Sequence, residues 1–591
     1  MAIDSKNDIN NRATNRKLMQ SEPSGPPLVS LSDTVLVIAL VVTLAVIPIY
    51  VRSLIFFNTP SVIFDLSHFV AMLALTIILV RSKLRYGKQV VLVLWSTFTM
   101  LLIVPLRFPE GIITNGPDMI YQLQIMKNIA ATGNLSFNAP TIYALGYVFT
   151  PAQETMLVMV SMILGISGET VLKYAGPLFG VLTVAFLLGF YRAYFSKKDA
   201  LIATFLAGNC FWFLQDSAAT VHESLALVFL SVMIYSLIKS GVIWRFLTVL
   251  FAFAIVSTHE FTSIVSSAFF IFAALAIIIF SRWLGLKRGP IENTILKMPA
   301  LTVTMTFAWL AFAALPFFGS AIGFVGFVIG ALLSGSSHIA FPLGNGMYSW
   351  EQVVGDVGVG LFAITCVWGF LVILVRREDT AYQQFLPYAG SGALIFFLGL
   401  VSYLRFHQAT DLLLRGFIYV YFFAAPVTLY GILRISLALR RRSTLRMVTC
   451  ICLILIIVVA GVYAQYPRFA IDNTSPQNIQ DVRFPLFQWQ AAGYFVLGHV
   501  GGSTLWGDKI AFNYVGGYGV KDIHFFDNTL NLTLTEWMST KPASGDIVIL
   551  RQTMATVPYY NYQVTSQGLH KILATHDIIY SSGEVDMVIA S

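Results

Sequence analysis

Two dipeptides carry side chains suited to chemistry: His222-Glu223, in the string QDSAATVHES, and His259-Glu260, in STHEF. An imidazole beside a carboxylate can move a proton, hold a polar substrate or ligate a divalent cation such as Mg or Mn. Asp216 lies too far from Glu223 for an i,i+4 pair but close enough across a turn. Each dipeptide also falls at a helix end, where the dipole alone stabilises an acid, so capping competes with function. A second group lies later in the chain: Arg405, His407, Asp411 and Arg415. Arg415 opens the apolar run RGFIYVYFFAAPV, where a cation needs a counter-charge, and Asp411 stands one helical turn earlier on the same face. That pair is either structural or part of a phosphate clamp, which guanidinium geometry favours.

A third group occupies residues 107–152, with Arg107, Glu110, Asp118 and Lys127; Glu154 opens the apolar stretch that follows. Asp118 follows a Gly-Pro turn and starts an amphipathic helix that Gly133 stops, so it stands at or near the N-cap. It is either a plain cap or an acid presented at the end of a helix.

These groups need elements that hold them, and composition says which. Of 591 residues, 57% are hydrophobic and only 11% are charged. A soluble domain carries roughly 25% charged residues. The deficit excludes a soluble multidomain enzyme, a disordered chain and a coiled coil, and apolar surface on this scale faces lipid. The net charge of +8 belongs to basic loops beside anionic membrane lipid, and no soluble basic domain or stripe offers a nucleic-acid surface. Cys210, Cys366, Cys450 and Cys452 all fall in apolar stretches and read as small buried hydrophobes.

The expected fold is an α-helical polytopic membrane protein of about 13 transmembrane helices with a small C-terminal α/β domain outside the cytoplasm. Residues 1–31 read as a disordered cytoplasmic lead, 32–465 as the multi-span domain and 466–591 as the extracytoplasmic domain. Spans are expected near 33–57, 61–80, 89–106, 172–195, 199–215, 221–239, 243–257, 264–283, 298–316, 355–376, 385–404, 412–438 and 445–464. The stretches 153–167 and 318–334 are short spans, re-entrant segments or interfacial helices. With the N-terminus inside, this arrangement places every basic loop on the cytoplasmic face, among them Arg81–Lys88, Lys197–Lys198 and Arg440–Arg446. The acids and histidines named above then gather on the other face. In the tail, Ser503–Gly507, Asp546–Leu550 and Val585–Ala590 read as strands and 484–498 as a helix.

This combination resembles the GT-C superfamily of membrane glycosyltransferases. The stretch from Asp118 to Asn134 is similar to that family's first outer loop with its acid. Tyr147–Gly168 is similar to the Pro-started helix that follows the loop. The turn with Asp216 and Glu223 resembles the second acidic motif, and Arg415 the Arg-started late span. The resemblance implies a membrane enzyme that takes a sugar from a polyprenyl-phosphate donor and moves it to a protein or lipid acceptor at the outer face. Asp118 would be the base or would orient the acceptor. Asp216 and Glu223 would share the catalytic site. Arg415, with Arg405 or Lys127, would hold the carrier phosphate, and His222, His259, Glu260 and His407 would line the substrate site. The sequence departs from the family in placing three spans before the loop, and its tail lacks a Trp-Trp-Asp-like motif, which favours a monosaccharide transferase. The competing reading is a transporter or flippase, against which the absence of an internal repeat counts. Sequons at Asn134, Asn473 and Asn531 fall on the expected outer side.

Overall fold

Lipid offers backbone amides no partner, so each apolar segment satisfies its own by forming a helix. The computed structural model describes residues 31–53, 62–82, 84–107, 118–135, 149–218, 220–285, 288–315, 349–376, 379–406, 410–438, 443–465, 486–500, 504–507, 523–525, 542–551, 566–581 and 585–589. The helices before the tail are α1 (Leu31–Ser53), α2 (Val62–Arg81), α3 (Tyr86–Leu101), α4 (Ile103–Arg107), α5 (Asp118–Thr132) and α6 (Ala152–Leu164). They continue with α7 (Gly168–Tyr191), α8 (Lys197–Gly208), α9 (Phe211–Ala218), α10 (His222–Leu237), α11 (Val242–Thr258) and α12 (Glu260–Leu284). The last are α13 (Pro290–Ile295), α14 (Met298–Phe312), α15 (Ser349–Arg376), α16 (Thr380–Phe406), α17 (Thr410–Ala438) and α18 (Ser443–Gln465).

The described parts of every stretch expected to span are mainly helical. Among the described residues nine segments are long and apolar enough to cross a membrane, and α9 with α10, bent by 115°, would make a tenth. Two expected spans are interrupted. The stretch 199–215 breaks into α8 and α9 at Asn209, whose side-chain amide turns back to donate to Phe205 O at 2.7 Å. The stretch 89–106 breaks at Leu102 into α3 and the short α4. The doubtful stretch 153–167 is α6, a 13-residue helix stopped by Gly165 at φ 63°, and is too short to cross. The stretch 318–334, most of the lead 1–31 and the sequons at Asn473 and Asn531 lie outside the described residues.

Helix α17 is the most enclosed of the spans and packs against α16, α15, α8 and α18. Small residues let the backbones meet, as in helix packing within lipid generally. A Cβ on Gly431 of α17 would stand 1.9 Å from Thr365 O of α15, and one on Gly369 of α15 would stand 2.2 Å from Val427 O.

In the tail, α19 (Leu486–His499) precedes a five-stranded sheet ordered β2-β1-β3-β5-β4, with α20 (Ser566–Thr575) between β3 and β4 in sequence. β1 (Leu505–Gly507) runs parallel to both β2 (Ile523–Phe525) and β3 (Ile547–Arg551). β5 (Val585–Ile589) pairs antiparallel with β3 and with β4 (Ile578–Ser581). The three strands expected from sequence are the inner ones. The edge strands β2 and β4 escape because they are short, and β4 is only half-buried.

The Gly369–Gly431 contact makes a prediction. Gly431→Ala should destabilise the helical domain by about 1–3 kcal/mol through overpacking. Gly360→Ala, on the same α15 with open space around its Cα, should leave stability unchanged or slightly raised. Thermal unfolding in detergent followed by size-exclusion peak height checks both.

Candidate functional site

The site is built around the bend between α9 and α10. Thr220 sits in that bend at φ 51°, the one non-glycine residue in the left-handed region among those described. An L-residue holds that conformation only when its surroundings fix it. Here its hydroxyl accepts from Gly176 N of α7 at 2.6 Å and its carbonyl accepts from Gln153 Nε2 of α6 at 3.2 Å. Gly176 is required for the approach: a Cβ there would lie 2.2 Å from Ser217 O. Ser224 Oγ also donates to Asp216 O at 2.7 Å, tying α10 back to α9. Asp216 is buried at this joint.

The bend delivers His222 and Glu223 as the first two residues of α10, both buried. They are more than caps, since Val221 is the N-cap and makes no side-chain cap bond. His222 Nε2 bonds to Glu154 Oε1 of α6, and its Nδ1 stands 3.3 Å from the Thr150 hydroxyl. The imidazole is thus held at both ring nitrogens, by Glu154 on one side and Thr150 on the other. All three side chains are buried. Glu223 Oε2 accepts from Arg415 Nε at 2.8 Å, across from α17. The Arg415 guanidinium stands 4.4 Å from the centre of the Phe261 ring on α12. Its side chain keeps 19% exposure against 5% for Glu223, so the cation is the member of the pair that reaches the surface of the site.

His259 takes the capping role the sequence allowed. Its Nδ1 accepts from Thr262 N at 3.3 Å and lies 2.6 Å from the Thr262 hydroxyl, at the N-cap of α12. It stands two residues before Phe261, whose ring meets the Arg415 guanidinium. One turn below Arg415, Tyr419 bonds its hydroxyl to Ser266 Oγ at 2.9 Å, joining α17 to α12. Glu260 occupies the first turn of α12, half-buried.

Of the residues expected from sequence, the fold brings His222, Glu223, His259 and Arg415 together, with Asp216 at the supporting joint. Asp118 begins α5, and Lys127 lies on the same helix, exposed. Arg405 falls near the end of α16; its side chain, and those of Asp118 and Asp411, lie outside the described residues, as does His407 altogether. Local spacing offers Asp411 as the counter-charge of Arg415, a pairing that lies outside the described residues; the structure adds Glu223 from α10. Glu223 is enclosed and needs a cation, and Arg415 of α17 supplies it. Sequence reasoning left Glu154 out of the site and missed Thr150, Gln153, Gln122 and Phe261. A Gln-Glu pair opening an apolar helix was the available signal. Among the described residues no group of three or more His, Cys, Asp or Glu side chains could hold a metal ion.

The Glu223–Arg415 pair predicts a stability pattern. Arg415→Met should cost about 3–5 kcal/mol, because it strands a buried carboxylate. Adding Glu223→Leu should recover most of that loss, since replacing both members by apolar groups is often neutral. Chemical or thermal unfolding of both variants in detergent measures the recovery.

No protein-family model matches the chain, and no curated protein matches it. Among solved structures it is similar to ArnT from Cupriavidus metallidurans in the apo state, at 11% identity and TM-score 0.49, over 85% of this chain and 98% of that one. It is similar to the Archaeoglobus fulgidus oligosaccharyltransferase in the apo form, at 12% identity and TM-score 0.45, over 79% of this chain and 70% of that one. It is also similar to the mycobacterial arabinofuranosyltransferase AftD, at 13% identity and TM-score 0.45, over 86% of this chain and 40% of that one.

Proposed function

We propose that the protein is a membrane glycosyltransferase that moves a sugar from a polyprenyl-phosphate donor to a protein or lipid acceptor. The observation that carries this reading is Arg415: a partly exposed guanidinium, oriented by a buried carboxylate and an aromatic face, in the second turn of the most enclosed span. A fixed, partly exposed guanidinium is suited to a lipid-linked phosphate, because its planar fork matches phosphate oxygens.

In this reading the acceptor nucleophile forms a bond to the anomeric carbon as the bond from that carbon to the phosphate oxygen breaks. The electron pair leaves with the carrier phosphate, and Arg415 stabilises the charge that develops there. The proton of the nucleophile passes to Asp118, which α5 presents at its N-terminal end. The His222–Glu154 pair holds the start of α10 in place, and Glu223 orients Arg415. The site faces the outside of the membrane, as does the tail 466–591. A flippase is the second reading, favoured by the broken α9–α10 pair, since discontinuous helices line many transport sites.

Proteoliposomes given a radiolabelled sugar on polyprenyl phosphate and an acceptor mixture separate the two. A transferase yields a new glycosidic bond; a flippase moves the label across the bilayer with none. Asp118→Asn should lower transfer by about 10²–10⁴-fold, and Arg415→Gln by about 10²–10³-fold, with donor KM less affected than kcat. Transfer unchanged in either variant removes that residue from the mechanism.

A further inference from the structure

Gln153 is buried and makes two hydrogen bonds through one amide nitrogen. It donates to Gln122 Oε1 of α5 at 2.9 Å and to Thr220 O in the α9–α10 bend at 3.2 Å. An amide nitrogen carries two hydrogens, so the bridge uses both. Gln122 lies one helical turn after Asp118 on α5, and Thr220 lies two residues before His222. The bridge therefore joins the helix that begins with Asp118 to the bend that delivers His222 and Glu223.

Neither end is held to this place by local structure alone. The bend's left-handed Thr220 is gripped from two other helices, by Gly176 and by Gln153. Helix α5 contacts α6 and α7 along one side, and its last turn is exposed. Gln122 and Gln153 are fully buried, so a substrate in the site does not reach them. Their burial argues for holding other groups in register rather than for touching a ligand. Next to them in α6, Glu154 holds His222.

We propose that Gln153 is a positioning residue. It fixes the Asp118 helix and the His222–Glu223–Arg415 cluster at one separation, so that the acceptor-side acid and the phosphate-side cation act on the same substrate. The proposal rests on the transferase reading for its catalytic consequence, but the mechanical coupling stands apart from it. A misplacement of about 1 Å can cost on the order of 10²-fold in rate, which sets the scale of the effect.

Full-length protein in proteoliposomes tests it with two variants and two readouts. Gln153→Leu removes both bonds and leaves Gln122 Oε1 and Thr220 O buried without Gln153. Adding Gln122→Leu removes one of these stranded groups and restores apolar contact between α5 and α6. We expect kcat to fall at least ~10-fold in Gln153→Leu with donor KM within about twofold. The double variant should regain thermal stability without regaining kcat, because the bend still lacks its bridge. Recovery of kcat in step with stability would show that Gln153 only supports folding and would overturn the proposal. The second readout needs no transfer activity. Spin labels on cysteines introduced at exposed Ala131 of α5 and exposed Leu178 of α7, with the native cysteines replaced, report how firmly α5 is held. The distance distribution should broaden in Gln153→Leu; an unchanged distribution overturns the proposal. If the wild type transfers no sugar yet the distribution broadens, the transferase reading fails while the coupling holds.

Discussion

Two buried carboxylates set the terms for the rest of the helical domain. Glu154 and Glu223 both sit in the first turn of helices whose later residues are apolar. Removing an ionised carboxylate from water is expensive unless a cation or donors meet it. Neither acid can find enough locally. Glu154 takes His222, 68 positions along the chain, and Glu223 takes Arg415, 192 positions along. Satisfying both brings α6, α10 and α17 together at one end, and the adjacent positions 222 and 223 make that one event rather than two. The left-handed Thr220 is a cost of the same requirement, because the chain must turn sharply to put these two residues where their partners are.

The charges at the opposite loops are handled differently. Arg434 of α17 bonds to Asp379 Oδ2 at 2.8 Å, and Tyr430 donates to the same oxygen at 2.7 Å. Arg192 and Lys197 both stand near the Tyr86 ring, at 5.8 and 5.9 Å from its centre. These cations are on loops and helix ends, where a flexible stem can carry the charge to water. The Asp379 side chain is itself 42% exposed, so this pair is of the kind that contributes little. The Asp379–Arg434 pair thus stays open to solvent, while the Glu154–His222 and Glu223–Arg415 pairs are enclosed. The enclosed pairs have the fixed geometry that acid–base or electrostatic catalysis requires.

The fold was largely readable because lipid imposes one rule on every span. The described parts of the stretches expected to span are mainly helical for that reason, and the polar tail announced its three inner strands through runs such as DIVIL. What could not be read was where a helix breaks inside an apolar run. The interruptions at Asn209 and Leu102 turn on one or two backbone bonds, not on hydropathy. The site divides in the same way. His222, Glu223, His259 and Arg415 were visible as polar residues where polarity is costly. Their pairing was not, because it spans long separations: Glu154 to His222 and Glu223 to Arg415. Gln153 was invisible for a further reason: an uncharged amide at a helix start has an ordinary alternative use, and only the bend it grips gives it meaning.

The Glu223–Arg415 pairing also bears on how a phosphate would be treated. A guanidinium already matched to a carboxylate forms a unit of zero net charge, so its attraction for a resting phosphodiester is modest. As the bond to the sugar breaks, the phosphate passes from one negative charge toward two, and its interaction with the fixed fork strengthens with that change. An interaction that grows along the reaction lowers the barrier, whereas one equally strong at the start would only tighten binding. Glu223 would therefore serve catalysis by restraining Arg415 twice: it fixes the orientation of the cation, and it holds down the affinity for the donor before the bond begins to break.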